Sequence, residues 1–220
     1  MKHFGVTLIK RKYSLNLTKE EFALIDTRPS LPMFENLVQI NAYTDSSGTQ
    51  YRKEWCEQYR ECCLRNYDLN MSYFAKLDEE DFNKCIENFI KKYNQFYQID
   101  DLSNFNKVTG YYIMVLDNYK QVYIGKTNNI KKRIQQHWSK TKPFDRTLFP
   151  MYNENSCFSV DFFRALDTTR IFVWPTEIID QMEAKLVEDF PEQYRTNRIG
   201  GDIENNGLLA LLTLNTRKLS

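Results

Sequence analysis

Residues 110–125 read GYYIMVLDNYKQVYIG, and this stretch decides the fold of the C-terminal half of the chain. Residues 110–116 and 121–125 are rich in β-branched and aromatic side chains, which favour strands. Asp117 and Asn118 lie between these two runs, and both residue types are typical of turns. The pattern therefore predicts a β-hairpin.

The residues after this hairpin predict a small domain that mixes strands and helices. Asn128 or Asn129 is suited to cap a helix with the sequence NIKKRIQQHW. Residues 171–174 (IFVW) favour a third short strand, and residues 176–190 show the spacing of an amphipathic helix. We therefore expect a β-β-α-β-α domain over residues 106–203.

Residues 1–105 are predicted to form a mainly helical N-terminal region. A short strand is expected at residues 6–9, and Thr18 begins a capping-box pattern that opens a helix. Apolar residues then recur at helical steps over 48–67 and 78–96.

Two further segments complete the predicted organisation. Residues 100–106 (DDLSNFN) are expected to link the two parts of the chain. The apolar residues 204–220 are expected to form a C-terminal packing segment.

Composition and charge exclude several classes of protein. The 220 residues suffice to bury a core, and 30 Lys and Arg against 29 Asp and Glu exclude nucleic-acid binding by bulk charge. Residues 119–146 nevertheless hold eight Lys and Arg against Asp145 alone, which predicts a local basic patch. Residues 1–106 are slightly acidic, with 14 Lys and Arg against 16 Asp and Glu.

The sequence also gives an expectation of compartment. We find no apolar run of about 18 residues and no secretion signal, so we expect no membrane span and a cytoplasmic location. The five cysteines include no CxxC pair, which argues against a zinc finger or a disulfide scaffold.

Glu183 occupies an unexpected position on the last predicted helix. At the helical period it lies about 40° from Ile179, within the apolar arc of that helix. A buried carboxylate needs a partner, and the candidates are Arg133, Arg195 or a divalent cation. A purely structural ion pair is the alternative interpretation.

Arg133 and His137 are four residues apart on the preceding helix, at the edge of the row formed by its apolar side chains. A cation and an imidazole together at the border of a buried face are candidates for a functional site. They are equally typical of a solvated helix flank.

Together these residues resemble the GIY-YIG nuclease superfamily. The first motif reads Gly110-Tyr111-Tyr112, with tyrosine where the family name has isoleucine, and the second is Tyr123-Ile124-Gly125. Arg133, His137, Glu183 and Asn197 follow in the order of the family. The resemblance covers about residues 107–203 and implies an α+β fold with a three-stranded antiparallel sheet flanked by helices.

The resemblance also implies a role for each matching residue. Tyr112 and Tyr123 would act near the attacking water, one as general base, while Arg133 and His137 would contact the scissile phosphate and assist proton transfer. Glu183 would hold a single Mg²⁺ or Mn²⁺ ion, and Asn197 would orient the site. Gly125 would let the backbone pass close to the tyrosines. The expected DNA-binding residues are Lys126, Lys131, Lys132, Lys140 and Lys142.

The implied activity is metal-dependent hydrolysis of DNA phosphodiester bonds, with DNA as the partner. A restriction or phage-defence endonuclease, expected to act as a homodimer, is the first interpretation. A mobile-element or repair nuclease is the second. A non-catalytic module that binds DNA or protein is the alternative from another class. Residues 1–105 would supply specificity or bind another protein.

Overall fold

The computed structural model describes the hairpin, the helices around it and most of the N-terminal region. The described residues are 1–9, 14–24, 43–46, 50–148, 151–178 and 182–197. In chain order the helices and strands are β1 (Lys2–His3), β2 (Val6–Thr7), α1 (Lys19–Phe22), α2 (Lys53–Lys76), α3 (Glu79–Lys92), β3 (Tyr97–Ile99), β4 (Gly110–Leu116), β5 (Gln121–Thr127), α4 (Ile130–Ser139), β6 (Arg170–Pro175) and α5 (Met182–Glu188). The packing segment expected at 204–220 and Ile179 lie outside the described residues.

The central sheet has antiparallel strands in the order β3-β6-β4-β5. The predicted hairpin is formed by β4 and β5, with Gly110 opposite Thr127, and β6 pairs with the other edge of β4. The α+β class and the antiparallel sheet are confirmed, with one strand more than expected. The additional strand β3 pairs with β6, where Tyr97 lies opposite Val173.

The two faces of the sheet pack against different helices. Side chains alternate along β4, so Tyr111, Ile113 and Val115 join the apolar cluster of α3 and α5. Tyr112 and Met114 join the cluster that contains the buried residues of α4. The alternation therefore directs Tyr112 towards α4.

The N-terminal region shares a core with the segment between α4 and β6. In α2 the rings of Trp55 and Tyr59 stack with their centroids 4.9 Å apart. Phe144 meets Tyr59 edge-on, and Phe158 belongs to the same buried cluster. The helical region is thus joined to residues 144–163 by a continuous apolar core.

The helix boundaries follow local capping. The Thr18 and Asp78 side chains accept hydrogen bonds from the backbone N–H groups of Glu21 and Asp81, as N-caps do. The helix expected over 78–96 ends earlier, at Lys92, because the chain turns there to enter β3. In the part of the chain that the structure describes, no helix combines the length and apolarity needed to cross a membrane.

Candidate active site

The hairpin brings Tyr112 and Tyr123 together. Tyr112 lies opposite Gly125 and Tyr123 lies opposite Met114, so the tyrosines are diagonal neighbours on one face. Their ring centroids are 6.1 Å apart. Tyr112 is fully buried, whereas Tyr123 is half-buried at the edge of the same cluster.

Gly125 provides the space that the Tyr112 ring occupies. A Cβ atom at this position would lie 2.6 Å from the Tyr112 hydroxyl oxygen and 2.7 Å from Cζ. These distances are well inside van der Waals contact. The backbone of β5 can therefore pass this tyrosine only if residue 125 has no side chain.

Helix α4 presents Arg133 and His137 to the tyrosines. Asn129 caps the helix by accepting a hydrogen bond from the Lys132 backbone N–H at 3.0 Å. The imidazole of His137 is 3 % exposed, and its Nε2 lies 2.8 Å from the Tyr112 hydroxyl oxygen. The ring of Tyr123 meets the imidazole edge-on, with centroids 4.8 Å apart.

Burial raises the pKa of both tyrosines. The pKa of Tyr112 lies well above 10, since its surroundings disfavour a phenolate, and the guanidinium of Arg133 opposes this shift. The pKa of Tyr123 is raised first by burial and then by the charge of Glu183, and Arg133 again opposes. Both hydroxyls are therefore protonated near neutral pH, and either needs a proton acceptor to act as a base.

Glu183 is 7 % exposed on α5 and faces the same site. Burial raises the pKa of this carboxyl, while the charges of Lys126 and Arg133 and a hydrogen bond from the Lys126 backbone lower it. Of the partners expected from the sequence, Arg133 thus interacts with Glu183. The guanidinium of Arg195 donates to the carbonyl of Val187.

The Glu183 carboxylate suits a hard cation that takes most of its ligands from water and substrate. In the described ranges, no group of three or more His, Cys, Asp or Glu could hold a metal ion. Mg²⁺ requires few protein ligands, because it keeps several waters and is commonly bound by one or two carboxylates together with substrate phosphate. Glu183 fits that mode.

Asn197 fixes the strand that carries Tyr123. Its side-chain Nδ2 donates to the Ile124 carbonyl at 2.7 Å, and its Oδ1 accepts from the Ile124 N–H at 2.9 Å. Asn197 therefore fastens the backbone of β5 between Tyr123 and Gly125.

The expected DNA-binding lysines lie on β5, in the first turn of α4 and just after that helix. Lys126 is on β5 next to Glu183, and Lys131 and Lys132 lie in the first turn of α4. Lys140 pairs with Asp161 at 3.0 Å, and the Lys142 ammonium lies over the Phe162 ring, 5.3 Å from its centroid.

Sequence reasoning missed Asp161. This residue follows His137 by 24 positions and lies in a 3₁₀ turn, Val160–Phe162, where its Oδ1 is 3.0 Å from His137 Nδ1. No motif marks it, because the contact depends on how a long loop packs against α4. The signal available was a lone acidic residue among apolar neighbours in the stretch VDFF.

The order and geometry of these residues agree with a comparison against protein families. Residues 108–191 match the model of the GIY-YIG catalytic domain. This match confirms the resemblance seen in the sequence, and it indicates a nuclease, in general a phosphodiester hydrolase. The matched residues include Tyr112, Tyr123 and Glu183, whereas Asn197 lies beyond them. Neither the curated proteins nor the solved structures gave a significant match to the chain.

Proposed function

We propose that the chain is a divalent-metal-dependent endonuclease that hydrolyses DNA phosphodiester bonds at its GIY-YIG site. The observation that carries the proposal is the meeting of two tyrosines, a guanidinium, an imidazole and a buried carboxylate. One tyrosine lies on β4, and the other groups come from β5, α4 and α5. Each of these side chains suits phosphoryl chemistry. A merely structural core would have no need to bury so many polar groups together.

The chain's own residues would position and move protons. The tyrosine hydroxyls would orient the attacking water, and His137, neutral near pH 7, would take up the proton that this water releases. Arg133 would bind the non-bridging oxygens of the phosphate and stabilise the charge that develops there. A Mg²⁺ or Mn²⁺ ion held by Glu183 would add a second positive charge at that point.

The basic side chains around this site support DNA as the substrate. Lys126 lies beside Glu183, Lys131 and Lys132 lie in the first turn of α4, and Lys140 and Lys142 follow α4. When a few lysines neutralise DNA phosphates, counterions are released and binding is favoured. A local basic patch can therefore support DNA binding although the net charge of the chain is only +1.

Within this class we favour a restriction or phage-defence role, carried out by a homodimer in the cytoplasm. The N-terminal region shares a core with residues 144–163, so any part of it that contacts DNA or a protein is held rigidly relative to the site. All five cysteines have free thiols, as expected in a reducing compartment.

The experiment is a cleavage panel with supercoiled plasmids, branched DNA and single-stranded DNA. A restriction role predicts discrete fragments with fixed ends, whereas a repair or mobile-element role predicts preference for the branched substrate. Tyr112→Phe and Tyr123→Phe should both lower turnover, since each removes one hydroxyl of the site. Wild-type rates in both variants would refute the proposed use of the tyrosines. Binding of DNA without cleavage of any substrate would favour the non-catalytic module.

A further inference from the structure

Asp161 is a buried carboxylate that the active site described above does not explain. It is 6 % exposed in an apolar turn, and it interacts with His137 of α4 and with Lys140, the residue that follows this helix. Its Oδ1 lies 3.0 Å from His137 Nδ1, and its Oδ2 lies 3.0 Å from the Lys140 ammonium. Burying a carboxylate is costly, so an arrangement with both oxygens engaged calls for a specific role.

The turn that carries Asp161 has its own anchor. The Arg164 guanidinium donates to the Lys140 carbonyl at 2.9 Å and to the Asp161 backbone carbonyl at 3.2 Å. These bonds fasten the turn to the end of α4 without using the Asp161 carboxylate. The turn therefore has an anchor to the end of α4 besides the Asp161 carboxylate.

The charge state of Asp161 decides which nitrogen of His137 carries the hydrogen. Burial alone would raise the pKa of Asp161, but hydrogen bonds from His137 and Lys140 lower it to about 2. An ionised carboxylate can only accept hydrogen bonds, so Nδ1 must be the donor. Burial also lowers the pKa of His137, although Asp161 opposes this, so the imidazole is neutral near pH 7 and its Nε2 has a free lone pair.

We propose that Asp161 is a positioning residue, which holds His137 in the Nδ1–H tautomer so that Nε2 accepts the hydroxyl proton of Tyr112. This inference rests on the nuclease function proposed above. It also gives the hydrogen bonds a direction. Because Tyr112 donates to Nε2 over 2.8 Å, its oxygen is left to accept hydrogen bonds, and the Arg133 guanidinium and the Tyr123 hydroxyl both interact with it. Tyr112 then becomes the relay, and the half-buried Tyr123 becomes the end that faces substrate.

The proton transfers balance along this chain. As the water oxygen bonds to phosphorus, the water would give a proton to Tyr123, Tyr123 would give its own to Tyr112, and Tyr112 would give its own to Nε2. The bond from phosphorus to the leaving oxygen breaks, and that oxygen takes a proton from solvent. His137 ends as an imidazolium stabilised by Asp161 and then returns its proton to solvent, so the net reaction is addition of one water.

The direct test is the tautomer of His137, measured by ¹⁵N NMR of histidine-labelled protein. The chain has two histidines, so His3→Gln leaves a single imidazole to observe. We expect hydrogen on Nδ1 and none on Nε2 near neutral pH. In Asp161→Asn, whose amide can donate as well as accept, a substantial fraction should shift to the Nε2–H form. Lys140→Gln is the matched control. It removes the other partner of Asp161 but keeps the carboxylate next to His137 Nδ1, so the tautomer should be unchanged.

Activity gives a second measurement. Asp161→Asn should lower kcat about 100-fold with little change in KM for DNA, because a general base typically contributes about that much or more. The acidic limb of the pH profile should also move to lower pH, because a carboxylate no longer stabilises the imidazolium. The other groups that face His137 are Tyr112, Tyr123, Arg133 and Lys140, and all remain in this variant.

The outcomes separate this proposal from the proposed function. An Nε2–H tautomer in the wild-type protein, or an unchanged tautomer in Asp161→Asn, would overturn the role of Asp161 whatever the activity. The expected tautomers in a protein that cuts no DNA would support the role of Asp161 and refute the nuclease. The wild-type spectrum alone decides the tautomer if Asp161→Asn fails to fold.

Discussion

Gly125→Ala tests the packing of the tyrosine site. In an ordinary strand, replacing glycine with alanine is stabilising by about 0.5–1 kcal/mol, because glycine loses more conformational entropy on folding. Here the new Cβ would lie 2.6 Å from the Tyr112 hydroxyl oxygen and 3.0 Å from Cε1. The ring must therefore retreat by about 0.8 Å to reach ordinary van der Waals contact.

The expected magnitude follows from that displacement. Tyr112 is fully buried, so its ring has little room to move, and overpacking of this kind costs about 1–3 kcal/mol. The hydrogen bond of 2.8 Å to His137 would be distorted. A misplacement of about 1 Å at a catalytic group can reduce turnover about 100-fold.

The assay combines chemical denaturation with plasmid cleavage. Gly125→Ala should lose stability and cut far more slowly than wild type. The double variant Gly125→Ala/Tyr112→Phe lacks the atom nearest the new Cβ, so its loss of stability should be smaller than the sum of the single losses by about 1 kcal/mol. A Gly125→Ala protein that is as stable as wild type and cuts at the wild-type rate would refute the close approach of β5 to Tyr112.

Three further predictions concern positions around the site. Asn197→Ala should lower stability by about 1–3 kcal/mol, because the Ile124 backbone loses both of its bonds to this side chain; an unchanged denaturation midpoint would contradict this. Because the pKa of Asp161 is lowered from 3.8 to about 2, its ionisation contributes about 2 kcal/mol of stability above pH 4 that is lost as the pH falls towards 2. In Asp161→Asn, the free energy of unfolding should not show this loss between pH 4 and pH 2. A pH dependence identical to that of wild type would refute the contribution of Asp161. Lys131→Gln/Lys132→Gln should reduce the slope of log K for DNA against log salt by about two, and an unchanged slope would show that neither lysine contacts phosphate.

The elements with strong local signals were predictable from sequence. The hairpin follows from two β-rich runs around a turn, and α4 follows from an asparagine cap before a periodic apolar row. The inward position of Glu183 follows from the helical period alone. In each case local preference and burial agree, so little tertiary information is needed.

The remaining features depend on contacts between residues far apart in sequence. Strand β3 is three residues long and largely exposed, and its pairing with β6 rather than its composition makes it a strand. Asp161 reaches His137 only because the segment after α4 packs back on that helix. The shared aromatic core of α2 and residues 144–163 likewise joins parts of the chain that no sequence pattern connects.

The most direct test of the central claim is cleavage of supercoiled plasmid by wild type and Glu183→Gln, with Mg²⁺ or Mn²⁺ and with a chelator. The substitution preserves shape and removes the charge of a buried carboxylate whose pKa is raised, so the variant should be at least as stable as wild type. We predict cleavage by wild type with metal only, and none by a folded Glu183→Gln protein. Cleavage by the variant at the wild-type rate, or by wild type in chelator, would contradict the assignment of a metal-dependent nuclease centred on Glu183.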